Sequence, residues 1–378
     1  HSFFKFNMQT DWAVRAIYDN AEGYRHESDW SFSNFRTKSI SEIYFDAYNT
    51  YELNDLQWHV VGFPFNWDSY IDGSTIFQNE QESNNQGEPT NWAIYEYNRG
   101  DQSSYSREQV YLGSDEAYFL YSNDGPFNME SFLSSISEND DILVNTFTVY
   151  DMNMEPGWNL VSWPNTFDSQ QNLQFDDSIL SNIWFLNGGN WDTGTNPHFM
   201  PFEGFAIYNK TGNQVRIGDV VNAEESTTSL SRNSKMDWEL KLEVYSDTHN
   251  AADRFNYIGV SASASNQLDQ FDEMNPPAVG GGIDLSFIEA DHELSADIKN
   301  IDSDYDTWEL KLNSGIQSPI KLAWKEVVNN QDYTAFLYRP KNGHIIELEI
   351  SNKQFIDLGI INDEKMYIFA GTDADLRN

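Results

Sequence analysis

The feature that most constrains this chain is a two-residue alternation of apolar and polar side chains. It is clearest at 238–244, Trp-Glu-Leu-Lys-Leu-Glu-Val, where an extended strand would carry the apolar side chains on one face and the charged ones on the other. The first five letters recur at 308–312. Such alternation is typical of a strand that packs one face on a core and turns the other to solvent.

Segments of this kind recur along the chain, separated by turn-forming sequences such as Asn-Asp-Gly at 123–125. Helical pattern is confined to 129–136 and 175–180. Many short strands at this spacing predict an all-β protein of tandem antiparallel β-sandwich units, jelly-roll or immunoglobulin-like. The predicted strands lie at 3–7, 12–18, 58–62, 92–97, 118–121, 142–150, 158–163, 183–186, 205–208, 238–244, 308–312, 320–324, 334–337, 345–350 and 366–370.

Two parts of the chain match one another, which predicts a duplication. The segment Trp-His-Val-Val-Gly-Phe-Pro at 58–64 aligns with Trp-Asn-Leu-Val-Ser-Trp-Pro at 158–164, and 116–121 aligns with 203–208. A looser match joins 91–96 to 182–187. We therefore predict N-terminal strands at 1–51 that pair with the next unit or with a neighbour, repeat units at 52–150 and 151–226, a polar linker at 227–235 and a C-terminal β-sandwich at 236–373.

The charge of the chain excludes several classes of partner. Lysine and arginine number 22 and aspartate and glutamate 60, which gives a net charge of −38. Nucleic-acid binding is excluded because phosphate neutralisation needs clustered basic residues. Direct membrane insertion is excluded because the sequence has no apolar run of about 18 residues. The absence of cysteine excludes disulfides, thiolate metal sites and cysteine nucleophiles.

Several of these segments resemble modules of secreted and cell-surface proteins of the Bacteroidota type. The C-terminal unit resembles the region that precedes a type IX secretion sorting domain in such proteins. The resemblance implies a secreted or extracellular, surface-displayed protein, and it implies no catalytic residue. The chain begins at His1, and we expect it to be a mature or excised segment. The matching segments are 157–164, 203–208, 238–242, 253–259, 269–277, 308–312 and 367–373.

No motif of a known catalytic class is present in the sequence. It contains no HExxH, no G-x-S-x-G and no G-x-x-x-x-G-K-[ST]. Paired carboxylates of a glycosidase cannot be selected by spacing among 60 acids. We therefore predict that the protein is not an enzyme.

Calcium is the one cofactor that the sequence suggests, because hard cations take several oxygen ligands from clustered loop carboxylates. An EF-hand is rejected, since Thr307 stands at its sixth position and Asn313 at its twelfth. The alternative is a solvated acidic loop. The candidate ligands are Asp302, Asp304 and Asp306 in one loop, Asp247 and Asp253 with Asn250 in a second, and Asp269 and Asp272 with Glu273 in a third.

Aromatic residues suggest a second kind of site, since exposed rings stack on sugars. The alternative is that these rings belong to the core, because a tryptophan in an alternating strand buries a large apolar area. The candidate glycan-stacking residues are Trp67, Tyr70, Trp92, Trp184 and Trp191.

The sequence favours a non-catalytic extracellular surface protein that acts in adhesion or self-assembly as a filament or layer subunit. Its expected partners are further copies of itself or surface glycans. The segment His1–Asn7 is a candidate strand for a neighbour's sheet edge, and the alternative is an intramolecular strand. A carbohydrate-binding module, or part of a secreted polysaccharide-degrading enzyme, remains the alternative function.

Overall fold

The computed structural model of the chain is all-β, as the alternation predicts. It describes residues 236–372 apart from 250, 279–281, 302–304, 331 and 349–353, and before them strands between 4 and 218 with a few adjoining residues. These residues contain no helix suited to crossing a bilayer. The predicted helical segments 129–136 and 175–180 lie outside them, and the division into tandem units stays a prediction.

The strands of the described residues are numbered here in chain order and form eight sheets. The first half holds β1 (Phe4–Lys5), β2 (Gln9–Val14), β3 (Ile17–Asp19), β4 (Arg25–Glu27), β5 (Ser31–Arg36), β6 (Gln57–Gly62), β7 (Phe65–Trp67), β8 (Ile71–Asp72), β9 (Trp92–Tyr97), β10 (Tyr105–Ser106), β11 (Tyr111–Leu112), β12 (Ala117–Ser122), β13 (Ile142–Val144), β14 (Val149–Met152), β15 (Gly157–Ser162), β16 (Trp184–Asn187), β17 (Asn190–Thr193), β18 (Gly204–Asn209) and β19 (Val215–Gly218). The second half holds β20 (Trp238–Ser246), β21 (Ala251–Ser261), β22 (Glu273–Met274), β23 (Ile283–Glu289), β24 (His292–Asn300), β25 (Tyr305–Ser314), β26 (Ile320–Asn329), β27 (Tyr333–Arg339), β28 (His344–Leu348), β29 (Gln354–Gly359) and β30 (Asp363–Thr372).

The N-terminal strand pairs within the chain. Phe4 of β1 lies opposite Val144 of β13, and β13 continues to β7 on its other side. Phe4 and Lys5 thus form a strand within this chain, and the pairing of His1–Asn7 with a neighbouring molecule stays a prediction.

The two matching parts of the sequence form four-stranded sheets with the same strand order. One runs β6–β12–β9–β10 and the other β15–β18–β16–β17. The register agrees as well, since Trp58 lies opposite Tyr121 and Trp158 opposite Tyr208. Each pair of rings is in contact, with centroids 5.1 and 5.4 Å apart.

The register corrects the looser of the three sequence matches. Tyr95 lies opposite Phe119 in the first sheet, and Trp184 lies opposite Ala206 in the second. Phe119 and Ala206 are equivalent, so Tyr95 corresponds to Trp184 at an offset of 184 − 95 = 89 rather than the predicted 91. A slip of two residues preserves the face of every side chain, which is why the sequence pattern alone could not detect it.

The two four-stranded sheets meet through equivalent positions. Gly62 ends β6 and Ser162 ends β15, and a Cβ placed on Gly62 would lie 2.0 Å from the Ser162 Cβ. Gly204 begins β18 and Ala117 begins β12, and a Cβ on Gly204 would lie 2.6 Å from the Ala117 Cβ. Contact between equivalent positions is the mark of an isologous, pseudo-two-fold interface. Small residues at these positions allow the two layers to approach closely.

The C-terminal part forms a single sheet of eleven strands. Its order is β28–β27–β30–β25–β23–β24–β21–β20–β26–β29, with β22 added beside β24. The pairs are antiparallel except for β21 with β24, which is parallel.

This sheet folds over on itself to enclose its core. Trp238 of β20 stacks on Tyr333 of β27 with ring centroids 5.4 Å apart, although five strands separate β20 from β27 in the sheet order. Trp238 also lies 5.9 Å from Trp308 of β25, and all three side chains are buried. The apolar faces predicted from the alternation at 238–244 and 308–312 thus pack against one another.

A buried ion pair stands where the two ends of the sheet approach. Arg339 of β27 donates from Nε to Glu364 Oε1 at 2.8 Å and from Nη2 to Glu364 Oε2 at 3.0 Å. The same Nη2 donates to the carbonyl oxygen of Leu358 in β29 at 3.1 Å. The guanidinium therefore links β27 to β29, at the opposite end of the strand order.

Candidate functional sites

The two terminal strands of the C-terminal sheet, β28 and β29, have free edges among the described residues. Among the described residues β28 pairs only with β27, and β29 pairs only with β26. Because Arg339 of β27 reaches the Leu358 carbonyl of β29, the two ends of the sheet lie on the same side of the folded sandwich. Unpaired backbone groups of such edges can accept an additional strand.

The free edges carry apolar side chains that remain exposed. Ile345 of β28 is 69% exposed, Phe355 of β29 is 56% exposed, and Ile360 directly after β29 is 56% exposed. The Lys321 Nζ lies 4.6 Å from the centroid of the Phe355 ring. We call β28, β29 and Ile360 together the edge surface.

A second candidate site is a cleft between the β16–β17 hairpin and the C-terminal sheet, which we call the hairpin cleft. Contacts across it fix the hairpin in place: the Ala252 amide donates to Asn190 Oδ1 at 2.9 Å, and the Trp191 indole Nε1 donates to the Pro277 carbonyl at 3.0 Å. The cleft has a volume of about 400 Å³ including its open mouth.

Aromatic rings and two carboxylates line the hairpin cleft. The rings are Trp184, Trp191 and Phe255, and Trp184 packs edge to face on Phe255 with centroids 4.8 Å apart. The carboxylates are Asp253 of β21 and Asp284 of β23.

Local strand geometry positions Asp253. The pairing of β20 with β21 shifts register between Leu242 and Val244, and Asp253 lies opposite Val244 just beside this bulge. Bulges redirect side chains at sheet positions. Asp253 Oδ2 accepts the amide of Leu285 at 2.8 Å, and Oδ1 accepts from Asn256 Nδ2 at 2.8 Å.

Both carboxylates have raised pKa values. Burial raises the pKa of Asp253 to about 7, the nearby Asp284 carboxylate adds to the rise, and the hydrogen bonds from Leu285 and Asn256 oppose it. Burial likewise raises the pKa of Asp284 to about 6, against a hydrogen bond from Asn275 Nδ2 at 2.8 Å. Perturbed acids in a cleft are a recognised indicator of a binding site.

The predicted calcium ligands that the structure describes contact different partners. Asp247 is exposed and pairs with Lys321, whereas Asp253 faces the hairpin cleft. Asp269 and Asp272 accept backbone amides: Asp269 from Ser265 and Phe271, and Asp272 from Asp269 and Ile298.

Asp306 is buried inside strand β25 rather than in a loop, and Asp302, Asp304 and Asn250 lie outside the described residues. The described part of the chain holds no group of three or more acidic, histidine or cysteine side chains suited to a metal ion. Calcium binding stays a prediction.

The structure brings two of the five predicted glycan-stacking residues together. Trp184 and Trp191 both line the hairpin cleft, Trp184 being only 2% exposed and Trp191 half-buried. Trp67 and Trp92 belong to described strands, but their side chains lie outside the described residues, as does Tyr70.

Sequence reasoning missed Asp284 and Asn275 as cleft residues. Asp284 stands between Ile283 and Leu285, a spacing typical of a solvent-facing strand position. It is enclosed only because a hairpin distant in sequence packs over it, and no local pattern records that contact. Asn275 and Pro276 form one wall of the cleft.

Comparisons with protein-family models, with curated proteins and with solved structures gave no match to this chain.

Proposed function

We propose that this chain is a non-catalytic extracellular surface protein that acts in self-assembly or adhesion through the edge surface. The proposed location is supported by the sequence resemblance to secreted Bacteroidota-type modules. The observation that carries the proposed activity is that both terminal strands of the C-terminal sheet combine a free edge with exposed apolar side chains.

Charge supports this surface as the place where another strand is added. The whole chain has a net charge of −38, so two copies repel one another across most of their surfaces at low salt. The segment 340–360, which contains both edge strands, by contrast has a net charge of only −1. It holds two basic residues, Lys341 and Lys353, and three acidic ones, Glu347, Glu349 and Asp357.

Addition of a strand from a second copy would satisfy the unpaired backbone groups and cover Ile345 and Phe355 together. Both edges lie on one side of the sandwich, so the same surface on two copies can close into a symmetric pair. Single exposed apolar side chains are ordinary on protein surfaces, but their concentration on two neighbouring edges is not required by the fold.

Sedimentation velocity and negative-stain electron microscopy of the full chain test the proposal at about 0.15 M salt, where charge repulsion is screened beyond about 8 Å. We expect concentration-dependent assembly that Ile345→Lys and Phe355→Lys each weaken about tenfold or more, because a charge on an edge strand opposes pairing. Leu268→Lys is the matched control, since Leu268 is an exposed apolar residue in a loop away from both edges. A monomer at all concentrations, or equal weakening by the control, contradicts the proposal.

A further inference from the structure

The hairpin cleft combines two features that together suit a positively charged group. Its walls present the rings of Trp184, Trp191 and Phe255, and aromatic faces attract cations. Its polar side chains include the carboxylates of Asp253 and Asp284, one from β21 and one from β23, strands that β24 separates in the sheet.

The charges around the cleft leave its acids in excess. Asp253 faces Asp284, and the charged groups that act on Asp284 from neighbouring strands are Glu293 and Lys311. Lys311 Nζ already donates to Glu293 Oε1 at 2.7 Å, so its charge is shared with that carboxylate. The two cleft acids therefore lack a full counter-charge, while their raised pKa values arise first from burial.

The carboxylates of the cleft restrict the chemistry of the cation. A primary ammonium carries three N–H groups and can donate hydrogen bonds to both Asp253 and Asp284. A quaternary ammonium has no N–H to donate to these carboxylates. Calcium prefers six to eight oxygen ligands, and the described part of the cleft provides two carboxylates beside apolar rings.

We propose that the hairpin cleft binds a primary ammonium group, such as a lysine side chain of a partner protein or a small free amine. The ammonium lies between Asp253 and Asp284, and the attached carbon chain leaves through the mouth of the cleft along the aromatic rings. This inference is independent of the proposed function, since the cleft and the edge surface share no residue.

The inference is tested by titrating the full chain with cationic probes and monitoring each titration with two-dimensional ¹H–¹⁵N spectra. The indole signal of Trp191, identified by its loss in Trp191→Phe, reports on the cleft because Nε1 donates to the Pro277 carbonyl at its wall. The probes are methylammonium chloride, Nα-acetyl-lysine methylamide, tetramethylammonium chloride and calcium chloride, each at constant ionic strength up to about 50 mM, a range that detects millimolar affinity. If the lysine derivative binds more tightly than methylammonium, the ammonium group comes from a partner protein. If methylammonium binds more tightly, the group comes from a free amine.

We expect a saturable shift with methylammonium that is at least about tenfold weaker with tetramethylammonium. Asp253→Asn and Asp284→Asn each weaken binding about tenfold or more, while Asp291→Asn, an exposed acid on the turn after β23, leaves it unchanged. Binding tightens as the pH rises from about 5 to about 8, because both carboxylates become charged in this range.

Three results would overturn the inference. They are the absence of a saturable shift with either primary amine, equal binding by wild type and both cleft variants, and saturation by calcium alone. Circular dichroism melting of each variant confirms that it is folded, and the use of two cleft variants keeps the test decisive where one of them unfolds.

Discussion

The close approach of Gly62 to Ser162 makes a quantitative prediction about the interface between the two four-stranded sheets. In Gly62→Ala the new Cβ would lie 2.0 Å from the Ser162 Cβ, whereas carbon atoms in contact are about 3.5–4 Å apart. The layers must therefore separate locally by about 1.5 Å. Separation also loosens the contact of Gly204 with Ala117 and Val60, which are buried in the same interface.

Overpacking of this kind costs about 1–3 kcal/mol in the free energy of unfolding. The intrinsic gain from replacing glycine by alanine in a strand, about 0.5–1 kcal/mol, offsets part of that cost. We therefore expect Gly62→Ala to lower the free energy of unfolding by about 1–2 kcal/mol, and the melting temperature by a few degrees.

The matched partner of this variant is Ser162→Gly, which removes the Cβ that the new methyl group would meet. Ser162→Gly alone is expected to destabilise, because it loses a buried hydroxyl and places glycine in a strand. In the double variant position 62 carries the Cβ and position 162 is the glycine, so the two Cβ atoms no longer meet. A double-mutant cycle should therefore give a favourable coupling energy of about 1–2 kcal/mol. Urea unfolding followed by tryptophan fluorescence measures all four proteins.

The reasoning is refuted by either of two results in this cycle. One is a Gly62→Ala protein as stable as wild type within about 0.5 kcal/mol, the size of ordinary surface effects. The other is a double variant whose loss equals the sum of the two single losses, since additivity means that the two positions do not touch.

Two further predictions concern buried charges of the C-terminal sheet. Arg339→Met should lower the free energy of unfolding by about 3–5 kcal/mol, because the buried Glu364 loses both hydrogen bonds from Arg339 and keeps only the Lys341 Nζ at 3.9 Å. Lys365→Met, which breaks the exposed pair with Glu309, should cost far less, and equal losses in urea unfolding would contradict the argument. Burial, together with the carboxylates of Asp272, Glu289 and Asp306 and against Lys299, raises the pKa of Asp297 to about 7. The folded pKa exceeds the unfolded value of about 3.9, so the stability that the protonated form contributes is complete below about pH 4 and is lost as the pH rises to about 7. Asp297→Asn cannot ionise and should be more stable than wild type at pH 8, by an amount on the order of 2–4 kcal/mol, with a much smaller difference at pH 4.5; an equal difference at both values would contradict the assignment.

The strands that could be predicted from sequence are those with one buried and one solvent-facing side. The segments at 238–244 and 308–312 are of this kind, and the structure places strands β20 and β25 there. The first pair of matched segments also becomes equivalent strands, because aromatic residues and a closing proline bound both of them.

Strand β24 could not be predicted, because both of its faces are buried. Leu294 belongs to the main core and Ile298 to a smaller cluster with Met236 and Phe271, while Ser295 and Asp297 between them are also buried. Polar residues on a covered face remove the alternation on which the prediction depends. Strand β21 could not be predicted for a related reason, since the buried Asn256 interrupts its apolar face.

The sites depend on contacts between distant segments, and sequence reasoning found only parts of them. Trp184, Trp191 and Asp253 were each singled out, but as members of different sites, because nothing in the local pattern shows that the β16–β17 hairpin packs beside β21. The edge surface could not be inferred either, since a strand becomes an edge only through the order of all eleven strands.

The pseudo-two-fold contact between the four-stranded sheets is made within one chain, and this changes how it depends on dilution. Two separate molecules that met through Gly62 and Ser162 would come apart once their concentration fell below the dissociation constant. A covalent connection replaces that equilibrium with an effective concentration, typically in the millimolar range for a short flexible tether. The faces that these sheets bury therefore stay covered in a highly diluted medium, where an unlinked pair would dissociate.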